Sequence, residues 1–436
     1  MKLSNFVAKR GVALVAAGLA AAMALTACGS GEGLEPKPSG PASEAGGDVT
    51  IEFMQWWEGE LPDGVLKGLV DEFEKANPGI KVEILSGPFA SIKDQIVAGA
   101  ASGTLPDVMG LDTKWVNDFA KQGAIVNLTD LMKEVGYDDS QLAAQVKVDG
   151  ATVMVPVVNF AYPLFANTDL LTKAGVSKVP TTRAEFLDAT KKVAAGGSAA
   201  GFVTALGLEK PNGVGIDIMP WVWASGGSML DANGGPNVNN PEVSSAISFI
   251  KEMWDAGVIS PGALTMKEQD KVEEFTNGRV ALMISSLAHI NLIRKNNPDL
   301  NFEVAPVPVV EGFTGEPGVR YGAWGIGVAK NSQHPKEAWK LIEFLMSKDA
   351  NAKLASAAHA FPGNSQVQPD FSAEDPLFQK AFDIWKAGHP VDEFGGQPQA
   401  EGLQRSLDEQ LQEVLANDKP VDEALQAVQD AWKKVF

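Results

Sequence analysis

The chain has 436 residues and a formal net charge of −19, from 55 acidic and 36 basic side chains. Such an acid excess argues against a nucleic-acid ligand and against an anionic membrane face; it suits a soluble acidic extracellular surface. A length beyond the ~250–300 residues at which one core stops growing calls for two domains, and the lone cysteine, Cys28, leaves no disulfide to support them.

The first residues read as a three-part export signal. Lys2, Lys9 and Arg10 precede an apolar run over 12–25, which ends in Leu25-Thr26-Ala27-Cys28. The run falls short of the ~20 apolar residues of a comfortable membrane span. Residues 1–27 are expected to be a lipoprotein signal peptide, and the Cys28 thiol to receive the diacylglycerol. Two acyl chains on one residue give firm anchoring. Residues 28–47 are rich in Gly, Ser, Pro, Ala and Glu and lack aromatics, so they are expected to be a flexible tether. The remainder would then sit on the extracytoplasmic face of the cell membrane.

Residues 49–54 alternate polar and apolar, as a half-buried strand does. Val65, Leu66, Leu69, Val70 and Phe73 fall at helical spacing within 62–77, and Asn77-Pro78-Gly79 stops that helix. Strands over 80–85 and 106–111 alternate with helices over 89–101 and 113–121. This alternation predicts a mostly parallel sheet with helices on both faces. Further on come a strand over 153–158 and a helix over 182–193. The segment 218–225 carries Trp221 and Trp223, and a helix spans 241–256. Strands follow over 280–284, 302–307 and 321–329, then a helix over 335–346 and a helical tail from 401 to 436. No tandem repeat is present.

Signals for chemistry are weak. His289, His334, His359 and His389 lack metal-ligand spacing, and there is no Gly-x-Ser-x-Gly elbow. Asp231-Ala232-Asn233-Gly234-Gly235 is a turn without the later acids of a calcium loop. Gly322-Ala323-Trp324-Gly325-Ile326-Gly327 has the wrong glycine order for a dinucleotide loop. No cofactor or metal is therefore expected. The aromatics say more, with 10 Trp against 3 Tyr. Trp56, Trp57, Trp115 and Trp324 sit at or just beyond predicted strands, and in open α/β sheets ligands lie beyond the strands' carboxyl ends. A flat indole matches the apolar face of a pyranose ring, and nearby Asp, Glu, Asn or Gln can bond its hydroxyls. Trp254 and Trp339 fall at apolar helical spacing and are expected in the core.

Several ordered segments resemble a known family. They are Ile51-Glu52-Phe53-Met54-Gln55-Trp56-Trp57, then Phe73-Glu74-Lys75-Ala76-Asn77-Pro78-Gly79-Ile80-Lys81-Val82, then Ala100-Ala101-Ser102-Gly103-Thr104-Leu105-Pro106-Asp107-Val108. Phe165-Ala166-Asn167-Thr168-Asp169-Leu170-Leu171 and Phe275-Thr276-Asn277-Gly278-Arg279-Val280-Ala281-Leu282-Met283 follow. Trp324-Gly325-Ile326-Gly327-Val328 and Ala338-Trp339-Lys340-Leu341-Ile342-Glu343-Phe344-Leu345 close the series. Together they resemble the extracellular solute-binding proteins of carbohydrate ABC importers, the maltose-binding-like group.

The resemblance implies an α/β, two-lobed periplasmic-binding-protein-like fold of type II, each lobe a sheet flanked by helices with the ligand cleft between. It assigns 48–158 and 322–350 to the N-lobe and 159–321 and 351–436 to the C-lobe, with hinge crossings near 158–159, near 322 and over 350–360. It implies no bond chemistry: the protein closes on a neutral di- or oligosaccharide and presents it to the transmembrane subunits of an ABC permease. A monomer is expected. Position by position, Glu58 and Glu60 match the first cleft loop, with Trp56 and Trp57 beside it and Trp57 the favoured stacking residue. Asp112 matches an acidic hydroxyl acceptor, with Trp115 close by. Phe160 and Tyr162 occupy a hinge loop facing the cleft. Trp221 matches an aromatic platform of the second lobe, with Trp223 next to it. Ser286 stands where many relatives have Asn-Gly and then an aromatic; Leu287 and Ala288 follow instead, so that platform is absent or replaced by His289. Trp324 and Phe361 complete the expected ligand contacts. The rival reading is an exported, lipid-anchored glycoside hydrolase using Asp112 and Glu58 as its carboxyl pair. A peptide- or metal-binding lipoprotein is a weaker alternative.

Overall fold

The computed structural model describes residues 49–209 and 211–436, so the expected signal peptide, tether and Cys28 lie outside the described residues. The described residues form twelve strands: β1 (Val49–Gln55), β2 (Ile80–Ser86), β3 (Val108–Leu111), β4 (Val146–Val148), β5 (Ala151–Ala161), β6 (Leu164–Asn167), β7 (Ala200–Val203), β8 (Val280–Ile284), β9 (Phe302–Ala305), β10 (Gly318–Val328), β11 (Phe361–Pro362) and β12 (His389–Val391).

They form two sheets. The first has the order β11-β5-β10-β3-β1-β2, with β4 added to β5 and β12 to β10; the second has the order β7-β8-β6-β9. Parallel pairing is confined to β2-β1-β3, β7-β8 and β10-β12, and the rest is antiparallel. The expected, mostly parallel sheet is thus mixed. The long strand β10 pairs antiparallel with β3 and β5 pairs antiparallel with β10, so these two central strands of the first sheet lie outside its βαβ units.

The helix Val65–Ala76 buries Leu66, Leu69, Val70 and Phe73 and ends at Asn77; Gly79 then takes a left-handed φ of 94°, which lets β2 start beside β1. The helical tail is two helices, Ala400–Asn417 and Val421–Trp432, parted where Asp418 adopts a left-handed φ of 53° ahead of Pro420.

Each sheet has its own core. The first gathers Ile51, Phe53, Phe73, Val108, Val155 and Trp339, and the second Leu164, Phe186, Trp221, Ile250, Leu282 and Leu411. The chain passes from the first sheet to the second between Ala161 and Leu164 and returns along β10. The helix Lys348–Ala357, expected in the second lobe from residue 351 onward, buries Leu354 and Ala355 together with Ala350 in the first core. The helix Pro376–Lys386 instead buries Phe378, Phe382 and Trp385 with Phe165 and Phe302 of the second sheet's strands. The last crossing therefore falls after 360, because the apolar face of the earlier helix matches the first core.

Candidate functional site

β1 and β3 are parallel neighbours, so their carboxyl ends share one edge of the first sheet. Trp56 follows β1 directly and Asp112 follows β3. β10 runs antiparallel beside β3 with Gly325 opposite Leu111, which brings Trp324 to the same edge. On its other side β10 pairs Gly322 with Phe160 of β5. The glycine after Trp324 has a steric cause: a Cβ on Gly325 would lie 2.2 Å from the Met154 thioether.

At this edge a cavity of about 420 Å³ lies between the two sheets' cores, within the ~300–1,000 Å³ range of ligand pockets. Its walls differ. The first lobe supplies Trp56, Phe89, Phe160 and Trp324, with the acids Glu60 and Asp112 and with Lys114; the second supplies Asn212, Glu268, Ser286, His289 and Gln404. Tyr162, from the link between sheets, and Arg320 of β10 also line it.

Seven expected contacts therefore line the cleft: Trp56, Glu60, Asp112, Phe160, Tyr162, Ser286 and Trp324. The others do not. Trp57, the favoured stacking residue, is fully buried behind the wall, its ring 5.6 Å from that of Trp324 and within 7° of parallel. It braces Trp324 because the residue after Trp56 points to the core side. Trp115 also sits behind the wall, 5.8 Å from Trp56 and 4.8 Å from Phe89, with Lys93 Nζ 5.7 Å above it. Glu58 bonds to Ser86 Oγ and lines a neighbouring groove, so the expected Asp112–Glu58 carboxyl pair is not assembled across the cleft. Trp221 is fully buried between Phe186, Phe202 and Phe249, with centroids 4.8, 6.1 and 5.0 Å away. Trp223 is buried too, its indole N–H donating to Glu393 Oε2 at 2.6 Å. Both belong to a short helix, Pro220–Trp223, whose every residue is internal. Phe361 is buried against Phe371, Phe382 and Trp385.

Burial raises the Glu60 carboxyl, and a hydrogen bond from Trp324 partly offsets this. Asp112 Oδ1 accepts the Lys114 amide at 2.9 Å. His289 is lowered by burial, against the opposing charge of Glu268, so its imidazole is held neutral; its Nδ1 lies 2.7 Å from Ser285 Oγ. Burial likewise pushes the Tyr162 phenol up. Arg320 donates from Nε to the Gly215 carbonyl at 3.0 Å, lies 3.6 Å from Asp392 and covers the Tyr162 ring at 5.0 Å. The lobes also touch around the cleft: Thr113 Oγ1 donates to Asp392 Oδ2 at 3.0 Å, Asn117 Nδ2 to the Gly396 carbonyl at 2.8 Å, and Lys93 pairs with Glu401 at 2.7 Å. Among the described residues no group of three or more His, Cys, Asp and Glu side chains is placed to hold a metal ion.

Asn212, Glu268 and Gln404 escaped the sequence reading. Asn212 lies in an irregular loop, Glu268 begins the helix Glu268–Thr276, and Gln404 belongs to the C-terminal helix Ala400–Asn417. Only tertiary packing brings these three to one wall.

Two lobes with their own sheets, joined by several crossings around a cleft walled by aromatics on one side and polar groups on the other, define a ligand-binding protein of the two-lobed α/β class. The match of residues 59–352 to the bacterial extracellular solute-binding protein family makes the chain a member of that family. It is similar to a binding protein of Brucella abortus, 29% identical over 300 residues that cover 67% of this chain and 71% of the relative. It is also similar to the diacetylchitobiose binding protein DasA of Streptomyces coelicolor, at 24% identity over 81% of this chain and 82% of that protein. Among solved structures, the cyclic alpha-maltosyl-1,6-maltose binding protein of Arthrobacter globiformis superposes with a TM-score of 0.77 at 21% identity, covering 89% of this chain and 99% of the other, and so shares the fold.

Proposed function

We propose that this protein is a lipid-anchored, monomeric extracellular receptor that captures a neutral di- or oligosaccharide and delivers it to the permease of an ABC importer. The observation that carries this reading is the pairing of Trp56 and Trp324 with Asp112 and Glu60 on one wall of a cleft between lobes. An indole face covers the apolar side of a sugar ring while carboxylates accept its hydroxyls. The names of the diacetylchitobiose- and cyclic maltosyl-maltose-binding relatives agree with a saccharide ligand.

A neutral ligand fits the charges. Arg320 is engaged by the Gly215 carbonyl and neighbours Asp392, while Lys114 Nζ donates to Asn212 Oδ1 at 3.3 Å, so neither cation forms an open fork for a phosphate. Glu60, Asp112 and Glu268 add negative charge to the same walls. The sugar bridges both lobes only in the closed form and so favours closure by its differential affinity. No bond of the ligand is made or broken.

A thermal-shift screen against a panel of neutral saccharides tests this, because a ligand raises the melting temperature by mass action. A hit should be confirmed by calorimetry, with Asp112→Ala weakening it through the loss of a hydroxyl acceptor, at a cost of ~1–3 kcal/mol. No shift with any saccharide, or release of new reducing ends during incubation, would overturn the proposal. For the anchor, Cys28→Ala should release the chain from membranes.

A further inference from the structure

The cleft between the lobes has a larger neighbour in the second lobe. Next to it lies a groove of about 720 Å³, and the two share Asn212, Ile216, Glu268 and His289 as common walls. The groove runs between the helices Glu268–Thr276 and His289–Asn296. Both helices begin at residues of the shared wall, so the groove leads away from the cleft along their length.

Its floor is built from fully satisfied charges. Lys271 Nζ donates to Asp217 Oδ1 at 2.6 Å and to the Ile284 carbonyl at 2.9 Å; Asp217 Oδ2 accepts the Ala205 amide at 2.8 Å. Asp217 and Lys271 are both fully buried. A paired charge set of this kind offers little to a metal or a charged ligand. The sides carry Gln269, Glu273, Asn277 and Asn296, with Leu292 supplying an apolar surface that is 42% exposed. Hydroxyl-seeking groups around a small apolar face are the requirements of a further sugar ring, as in the cleft. His289 faces both spaces, with Nδ1 beside Ser285 and no hydrogen bond to Nε2 among the described residues, so it can bond a ring at the junction.

The backbone beneath is unusual in the same place. Val214–Ile218 forms a π-helical turn, a rare geometry that concentrates at functional sites. Its Ile216 lines both cavities and its Asp217 the groove floor. Gly213 precedes the turn, and a Cβ there would lie 1.8 Å from the Ala205 carbonyl oxygen. Close approach of these two backbone segments is what sets the floor of the groove.

We propose that the groove is a second saccharide subsite continuous with the cleft, so that the preferred ligand is a neutral oligosaccharide longer than a disaccharide. This rests on the sugar-binding reading above and narrows its substrate class. The cleft holds one end of the oligosaccharide against Trp56 and Trp324, and the other end bends past His289 between the two helices.

The test is calorimetry of the full mature chain with two neutral ladders, gluco-oligosaccharides and N-acetylglucosamine oligosaccharides, each from disaccharide to hexasaccharide. In the ladder that binds, affinity should rise at least tenfold beyond the disaccharide. Glu273→Trp and Asn296→Trp, which fill the groove from its two facing helices at exposed positions, should each abolish that gain and leave disaccharide affinity unchanged. Circular dichroism and melting temperature check that the variants fold, and two independent positions guard against one misfolding. Equal affinity at every length, or a length dependence untouched by both variants, would overturn the groove proposal while leaving the cleft reading intact. Absence of binding at any length would overturn both.

Discussion

The tryptophans at Trp56-Trp57 and at Trp221–Trp223 resemble each other in sequence and end in opposite places. The first pair stands where a parallel strand runs out at the sheet edge. Trp56 reaches the cleft, and Trp57 turns inward to stack on the back of Trp324. The second pair stands on a short internal helix, and both rings vanish into the second core. The two lobes consequently line the cleft with different chemistry. The first presents rings backed by more rings; the second presents amides, a hydroxyl and an imidazole over buried charge. Standing at a strand end brings Trp56 to the cleft but leaves Trp57, one residue on, inside the core, whereas on the internal helix both rings are buried.

The largest expected effect is in the second core. Trp221→Ala should cost ~3–5 kcal/mol of stability, as for other large-to-small core changes, with the ligand affinity of the folded fraction unchanged. Urea unfolding and calorimetry read the two quantities separately. Trp324→Ala should do the reverse in emphasis: affinity falls by about tenfold or more, equivalent to ~1.4 kcal/mol or more. Some stability is also lost, because the ring is 5% exposed and stacked on Trp57. If Trp221→Ala abolished binding while Trp324→Ala did not, the two tryptophan groups would have to exchange roles.

The smallest effect concerns charge beneath the second wall. Asp408 is buried with neither carboxylate oxygen bonded, and burial, helped by the charge of Asp217, pushes it up from 3.8 to about 7. A carboxyl raised in the folded state holds its proton longer than in the unfolded chain. Its contribution to stability therefore falls as pH rises from about 4 to about 7, and stays at the lower level above that. Asp408→Asn should raise the melting temperature at pH 8 and change it little at pH 4. Thermal melts across that range check it; a gain equal at both pH values would mean that Asp408 is not the group responsible.

Much of the first lobe was legible in the sequence. Its βαβ alternation, the Asn77-Pro78-Gly79 stop and the place of Trp56 at a strand end follow from local pattern, since parallel strands place their ends at one edge, whereas Asp112 and Trp324 were singled out by the family resemblance. The antiparallel insertion of β5 and β10 was not legible, because pairing partners far apart in the chain leave no local period. For the same reason the second lobe's wall was half-hidden. Ser286 was found beside a strand end, whereas Asn212, Glu268 and Gln404 come from a loop, a helix start and a distant C-terminal helix.

Sequence alone determined the acidic balance, the two-core size, the strand–helix order and the aromatic edge of the first sheet, because charge, length and hydrophobic period are local or additive properties. Tertiary structure alone decided which indole lines the cleft, that Trp221, Trp223 and Phe361 are core, and that a polar groove opens beside the cleft. Those outcomes depend on which surfaces are covered by elements distant in the chain, and burial of that kind is a property of packing.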